Sequence, residues 1–464
     1  MSITITDLFC GAGGSSLGAQ HAGATVAMAA NHWTKAIEVH QENFPDAAHD
    51  CADISQVDPR RYPSTNILLA SPECTNHTSA KGISRKKQDP TLFDSPDLGA
   101  ERSRATMWDV HRFVEHHAYD AVIVENVVEA TRWVYWPSWW QAWADAGYDA
   151  RVVSLNSAHT GEVAQWRDRI YVVATRRGLP AVNVEVRPPS WCPTCSAVVA
   201  GRQAFRNQRA AGKWRQQYDY RCPDCLGVVD PPAPSAEDHV IDWALEGDRI
   251  GDRARPLAPA TMERIRVGVE RYWPAPIVHQ AAGNTYQREG STCRSRPVTD
   301  PLGTQTTTAQ HALVVPFRNH GRSRPATEPT PTLTAGNGGH GLLMAPQSGG
   351  NAMPTTRPAP NVVTKASSLL VTYNRTGQAA PVTDPCSTVT THDRHALVEP
   401  GGITVDDCLF RMLEPHESGR AMAFPDDYRV DGTKKDRQKL YGNAVTPPAM
   451  RLLVGRVLDA LVTS

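Results

Sequence analysis

Asp7-Leu8-Phe9-Cys10-Gly11-Ala12-Gly13-Gly14 follows directly on Ile3-Thr4-Ile5-Thr6. An apolar run that ends in clustered glycines reads as a buried strand feeding a tight turn. Glycine has no Cβ, so such a turn can take left-handed backbone angles and let a nucleotide cofactor approach the chain closely. Further apolar runs follow at Ala24–Ala30, Ile67–Ala70, Ala121–Val124, Val152–Leu155 and Ile170–Ala174. Their lengths fit strands of a parallel sheet covered on both faces. Helical patterns fall between them, with Met107, Val110 and Val114 on one stripe and Trp139, Trp140 and Trp143 on another. The alternation predicts an open α/β sheet.

Composition narrows the field. The chain has 464 residues, and 48 basic residues balance 48 acidic ones. At roughly 100–200 residues per domain, this length allows two to four domains. Mean hydropathy is −0.42, and no apolar run reaches the ~18 residues of a membrane helix. The expectation is a soluble, cytoplasmic protein, with no secretory signal visible in Met1-Ser2-Ile3-Thr4-Ile5. Zero net charge excludes a purely electrostatic coat on nucleic acid, but not a local basic groove. Ten cysteines are too sparse for a disulfide scaffold. Four of them form Cys192-x-x-Cys195 and Cys222-x-x-Cys225, a pattern that points to a metal in a reducing compartment.

Five segments are expected. Residues 1–187 carry the α/β pattern. Residues 188–232, bounded by Pro188-Pro189 and Pro231-Pro232, read as an inserted module, and residues 233–273 as a helical connector with Ile265, Val269 and Tyr272 in phase. Residues 274–402 are rich in Thr, Pro, Gly and His. Pro297-Val-Thr-Asp-Pro301 with His311-Ala-Leu-Val314 is echoed by Pro381-Val-Thr-Asp-Pro385 with His395-Ala-Leu-Val398, and weaker copies begin at Pro325 and Pro354. A period of about 28 residues suggests a repeated strand-and-turn unit. Residues 403–464 complete the core, with a final helix opened by Pro447-Pro448.

Chemistry-bearing residues gather at strand ends. Cys74, in Ser71-Pro72-Glu73-Cys74, follows the Ile67–Ala70 run, and Glu125-Asn126-Val127 follows Ala121–Val124. Ligands bind at the carboxyl ends of such strands. A Cys there becomes a nucleophile if its thiol is activated, and a buried Glu needs a partner. Gln165-Trp166-Arg167-Asp168-Arg169 leads into Ile170–Ala174, and alternate arginines entering a strand point to one side. Asp53 could accept a hydrogen bond from a cofactor amine.

Taken in order, these stretches resemble the DNA (cytosine-5) methyltransferases. The glycine motif, Glu125-Asn126-Val127, Gln165-x-Arg167-x-Arg169, the Arg411-to-Pro425 stretch with Glu417 and Arg420, and Gly442-Asn443-Ala444-Val445 all match family motifs. The resemblance implies a Rossmann-like S-adenosylmethionine-dependent methyltransferase fold acting on double-stranded DNA, on a base turned out of the helix. Cys74 would attack C6 of the cytosine, Glu125 would hold N3 and the amino group, and Arg169 would contact O2 with Arg167 beside it. The cofactor would lie against Phe9, Gly11, Gly13, Gly14, His32, Trp33, Asp53, Ile54, Asn443 and Ala444. Two departures stand out: Glu73 where the family has a second proline before the Cys, and His32 where it has an acidic residue. They keep open a DNA-binding protein of this fold with impaired turnover, and an RNA cytosine methyltransferase is a third reading. The polar stretch 83–105, with Arg85, Lys86, Lys87, Arg102 and Arg104, corresponds to a loop that closes over DNA.

The two Cys pairs read as a zinc ribbon, with Cys192, Cys195, Cys222 and Cys225 holding a structural zinc. Between them Arg202, Arg206, Arg209, Lys213, Arg215 and Arg221 face one acidic residue, Asp219, a pattern that suggests phosphate contacts. Residues 274–402 occupy the slot of the family's target-recognition domain, expected to be mostly β and irregular. Arg288, Arg294, Arg296, Arg318, Arg322 and Arg324 are candidates for contacts to guanines or phosphates. A monomer of bacterial or phage type is the expected setting, and the sequence does not separate restriction-modification, phage self-protection and housekeeping or regulatory marking.

Overall fold

Ile67, Leu68, Leu69 and Ala70 form β4 (Ile67–Ala70), and all four are buried. Such a run needs cover on both faces, and β4 has it as the middle strand of seven. The computed structural model describes residues 2–72, 98–272, 277–280, 295–304, 311–316 and 404–462. They divide into two units: residues 1–241, 299–309 and 414–464, and residues 242–298 and 310–413.

The first unit holds β1 (Thr4–Leu8), α1 (Gly14–His21), β2 (Thr25–Asn31), α2 (Thr34–Asn43) and β3 (Ala48–Cys51), followed by β4. After β4 come α3 (Leu98–His117), β5 (Ala121–Asn126), α4 (Trp136–Asp145), β6 (Tyr148–Asn156) and β7 (Asp168–Arg176). The sheet order is β3-β2-β1-β4-β5-β7-β6. Side chains alternate between its faces. Ile5, Ile67, Leu69 and Ile123 pack with Leu17 of α1 and Val39 of α2. Leu8, Leu68, Val122 and Val124 pack with Val110 and Phe113 of α3 and with Trp139 and Trp143 of α4. The period of two in the strands thus meets two separate helical layers.

One strand corrects the expectation of an all-parallel sheet. β7, which contains the Ile170–Ala174 run, pairs antiparallel with both β5 and β6. A parallel return needs a crossover of a dozen or more residues, usually a helix. The β6–β7 link contains one short 3-10 turn, Ser157–Thr160. The chain therefore folds back as a hairpin, and β7 slots between β5 and β6.

Residues 188–232 add β8 (Pro189–Cys192) paired with β9 (Ala197–Ala200), and a three-stranded sheet of β10 (Arg202–Phe205), β11 (Tyr218–Arg221) and β12 (Val228–Val229). In the second unit, β13 (Asp248–Arg249), β14 (Ile277–Gln280), β15 (Ser295–Pro297), β16 (His311–Pro316) and β17 (Cys408–Met412) form an antiparallel sheet in the order β13-β17-β16-β14-β15. α5 (Pro259–Tyr272) covers it through Ile265 and Val269, which meet Ile277, Val314 and Phe410. This differs from the expected boundaries at both ends. Among the described residues, α5 and two short turns, Ala236–His239 and Ile250–Asp252, make the 233–273 connector helical. Residues 404–413 join the second sheet, because Cys408 and Phe410 of β17 bury their side chains in its core.

The first unit closes with α6 (Pro415–Ala421), α7 (Lys434–Asn443) and α8 (Pro447–Val462). α8 lies on α1 so closely that a Cβ at Gly18 would sit 2.4 Å from the Pro447 carbonyl oxygen, and one at Gly14 2.0 Å from that of Val445. Glycine at these positions is what lets residues 445–450 pack on the first helix. No helix among the described residues is long and apolar enough to cross a membrane. The repeat copies beginning at Pro325, Pro354 and Pro381 lie outside the described residues, as do Arg288, Arg294, Arg318, Arg322 and Arg324.

Candidate active site

The glycine turn begins where β1 ends. Phe9, Gly11 and Gly13 take φ values of 62°, 54° and 83°, the left-handed region that glycine occupies at little cost and Phe9 only under strain. A side chain at Gly11 would meet nothing nearer than the Phe9 carbonyl at 3.9 Å. There is open room above this backbone, as a cradle for a nucleotide-like cofactor requires. Beneath it, Asp7 is fully buried and its Oδ2 accepts hydrogen bonds from the Ser15 and Ser16 hydroxyls. Burial pushes the Asp7 carboxyl up to about 6, and the two hydroxyls oppose that shift. Ser16 Oγ is 2.9 Å from His40 Nε2, and His40 Nδ1 is 2.8 Å from His49 Nε2. Burial holds His40 down to about 3, so it is neutral.

The order β3-β2-β1 brings the other expected cofactor residues to the same edge. Trp33 follows β2, with its N–H donated to Asn31 Oδ1 (2.9 Å) and the Lys439 ammonium 3.9 Å from its ring centroid. His32 beside it is exposed. Asp53, after β3, accepts from Ser55 N at 3.0 Å and Ser55 Oγ at 2.8 Å, and Ile54 is buried. Asn443 is exposed and Ala444 buried at the end of α7. The Tyr428 hydroxyl donates to the Ala12 carbonyl, which ties the late part of the unit to the turn. An exposed carboxylate, an aromatic face and open glycine backbone together suit a ligand with a ribose, an adenine and a charged amino-acid tail.

At the neighbouring strand ends the structure joins two motifs. Glu125 Oε1 and Arg169 Nε are 2.9 Å apart, and both side chains are nearly buried. Asn126 Nδ2 donates to the Pro72 carbonyl at 3.3 Å. This places the chain leaving β4 against the Glu125-Asn126 motif two residues before Cys74; Glu73 and Cys74 themselves lie outside the described residues. Arg167 is buried, and its guanidinium donates to the Ala444 carbonyl at 2.9 Å. It therefore braces the Gly442–Val445 loop. The two arginines of one motif serve different ends, one toward Glu125 and one toward the Gly442–Val445 loop.

Sequence reasoning missed Asp168, which lies between those arginines. Asp168 Oδ1 accepts from Asn156 Nδ2 at 3.1 Å and from the backbone N–H of Trp214 at 3.0 Å. Its position inside the motif was visible; its partner in the insert was not. His40 and His49 carried no spacing signal at all.

The four cysteines of the insert converge. Their Sγ atoms all lie within 4.8 Å of one another, with Cys192–Cys225 at 3.5 Å and Cys195–Cys222 at 3.7 Å. Tetrahedral zinc with Zn–S near 2.3 Å sets sulfurs about 3.8 Å apart, whereas a disulfide brings them to about 2.05 Å. The thiols fit a metal of that kind. The expected basic patch is largely engaged: Arg202 pairs with Glu185, Arg206 with Asp219, Lys213 with Glu129 and Arg215 with Asp230. Three of these carboxylates come from outside the segment between the Cys pairs, which is why the sequence count overstated the free charge. Of the 83–105 stretch, residues 83–97 lie outside the described residues, while Arg102 and Arg104 fall in α3.

The sheet order, the reversed β7 and the glycine turn after β1 define a Rossmann-like S-adenosylmethionine-dependent methyltransferase fold. A Dnmt2 methyltransferase from S. pombe superposes with a TM-score of 0.50 at 12% identity, covering 99% of each chain. The profile of the C-5 cytosine-specific DNA methylases matches residues 3–205 and 347–458, more than half of the chain, and the protein belongs to that family. Type II methyltransferase M.HgiDI from Herpetosiphon aurantiacus is 30% identical over 176 residues, 37% of this chain and 52% of that protein. Type II methyltransferase M.HhaI from Haemophilus parahaemolyticus is 29% identical over 196 residues, 39% of this chain and 52% of that protein. The chain thus spans about half the length of these two relatives.

Proposed function

We propose that this protein methylates C5 of cytosine in a specific double-stranded DNA sequence, taking the methyl group from S-adenosylmethionine. The observation that carries the reading is the meeting of three strand ends: the Glu125–Arg169 pair at 2.9 Å, and Asn126 bonded to the Pro72 carbonyl just before Cys74. C5 of neutral cytosine is a poor nucleophile, so the ring must first be activated. The Cys74 thiolate adds to C6, and the electron pair released from the C5–C6 double bond becomes available at C5. Glu125 hydrogen-bonds N3 and the exocyclic amine, stabilising the charge that builds up in the ring, while Arg169 holds Glu125 in place and faces O2. S-adenosylmethionine, when bound, supplies the methyl group that C5 takes. Loss of the C5 proton to a base and expulsion of the Cys74 thiolate then restore the aromatic ring. A structural zinc on Cys192, Cys195, Cys222 and Cys225 completes the assignment, and residues 274–402 choose the target sequence. The type II names of the relatives fit a site-specific DNA enzyme of restriction-modification type.

A random-sequence duplex pool containing 5-fluorocytosine tests this. Fluorine at C5 cannot leave as a cation, so protein plus S-adenosylmethionine gives an adduct that survives denaturation. Cys74→Ala abolishes it. Binding without any adduct overturns the enzyme reading, and adduct formation on tRNA but not on duplex DNA overturns the DNA assignment. Elemental analysis giving no zinc, or zinc unchanged in Cys192→Ser, removes the metal.

A further inference from the structure

The insert reaches the sheet through a short turn, residues 212–215, and through Gln203 of β10. Gly212 N donates to Ser154 Oγ at 3.0 Å, and Gln203 Nε2 to the Ser154 carbonyl at 2.7 Å, so β6 is gripped twice. Lys213 Nζ lies 2.6 Å from Glu129, four residues beyond Glu125. The Trp214 N–H ends on Asp168, between Arg167 and Arg169. The Trp214 ring stacks on Trp166 with centroids 4.7 Å apart and receives His159 edge-on at 4.6 Å. The metal-site cysteines Cys192 and Cys222 belong to the same apolar cluster as Trp214, Tyr218 and Tyr220, with Trp166 packed against it. Apolar packing, ring stacking and a hydrogen bond therefore link the cysteine module to Asp168, and an ion pair links it to Glu129, four residues beyond Glu125.

We propose that the four-cysteine module is an internal strut for the Glu125–Arg169 pair, with Asp168 as the positioning residue through which it acts. The inference rests on the methyltransferase reading above and deepens it. Four of the module's cations already pair with carboxylates, which leaves them engaged before any phosphate arrives. The Trp214 N–H instead ends on Asp168, next to Arg169, which is proposed to act on the cytosine. A metal that fixes Cys192 and Cys222 fixes Trp214, and Trp214 sets the direction in which Asp168 and the arginines beside it leave the β6–β7 turn. A misplacement of about 1 Å in a group that positions the substrate can cost on the order of 100-fold in rate.

The test uses the full-length protein with its zinc. Asp168→Leu removes the acceptor and Asp168→Asn keeps an oxygen at the same place. Asp168→Leu should lower kcat and the rate of fluorocytosine trapping by about tenfold or more, with KM for DNA, KM for S-adenosylmethionine and zinc content unchanged; Asp168→Asn should restore most of the loss. Lys213→Met, on a half-exposed side chain, is the companion should Asp168→Leu not fold, and the same split between kcat and KM is expected. A rise in KM for DNA at unchanged kcat overturns the proposal in favour of a DNA-contacting module. Hydrogen exchange gives a readout independent of turnover. Stripping zinc with a chelator should speed exchange in residues 154–170 and 125–130 and leave residues 5–18 as they were. Changes confined to 188–230 refute the strut even if the enzyme is active, whereas changes that spread as expected in a protein that never traps DNA refute the catalytic reading and keep the strut.

Discussion

Asp7 is a fully buried carboxylate and Asp168 a partly buried one on the same sheet, and the chain anchors them in opposite ways. Asp7 takes its hydrogen bonds from Ser15 and Ser16, on the helix that follows it directly. Asp168 takes one from Asn156 across a hairpin and the other from Trp214, in a separate module. Burial raises the pKa of both. Asp7 is thus held within one contiguous motif, while Asp168 borrows part of its support from an insertion. A motif that carries its own partners is robust to what surrounds it. One that depends on a distant N–H inherits the stability of whatever holds that N–H in place.

The contrast can be broken most sharply at the base end. Glu125→Gln should lower turnover by about 10²–10⁴-fold while equilibrium binding of S-adenosylmethionine stays unchanged; a matching loss of cofactor affinity would show that the two ends are one unit. A smaller effect is expected from Gly14→Ala, whose new Cβ meets the Val445 carbonyl. Overpacking of this kind costs about 1–3 kcal/mol, measured by urea unfolding, and here the cofactor dissociation constant should rise with it.

The third test is pH. Burial lowers both His40 and His159 to about 3. Each is neutral when folded and takes up a proton near its ordinary value of 6.5 when unfolded. The stability this contributes is complete above that value and declines as pH falls toward 3, so going from pH 7 to 5 costs about 2 kcal/mol per histidine. His40 is bonded to Ser16 and His49, whereas the His159 ring nitrogens have no hydrogen-bond partner among the described residues. His159→Phe should therefore match or exceed the wild type at pH 7 and lose less on acidification, while His40→Phe should be less stable at pH 7. Unfolding curves at the two pH values distinguish these outcomes. The smallest effect concerns the insert's surface. Arg206→Ala, breaking an exposed pair with Asp219, should change stability by less than about 1 kcal/mol. The slope of DNA affinity against salt should stay the same within error.

Legibility in the sequence follows the same division. The glycine turn could be read because its residues are consecutive and the backbone geometry demands glycine; Phe9 and Gly13 do adopt that geometry. The buried strands could be read because apolar runs leave few other options. β7's direction was hidden, since an apolar run looks the same in either sense and only the short β6–β7 link decides it. The boundary near residue 403 was hidden too, because β17's partner is β16, remote in sequence. The Glu125–Arg169 pair was suggested by two motifs, but not their contact. Asp168's role depended on a tryptophan amide, and a backbone N–H leaves no trace in the residue types.

The Tyr428 hydroxyl and the Ala12 carbonyl that accepts its hydrogen stand 416 residues apart, and α8 lies against α1. A ribosome adding about 5–20 residues per second therefore delivers the glycine turn long before the residues that complete it. For most of synthesis the nascent chain can hold β1 to β4 but cannot close the cofactor cradle. Any product shortened before Tyr428 lacks the means to finish that end of the site. The closing contacts are non-local, so they also favour slow folding, and the first helix must wait, partly uncovered, for the last.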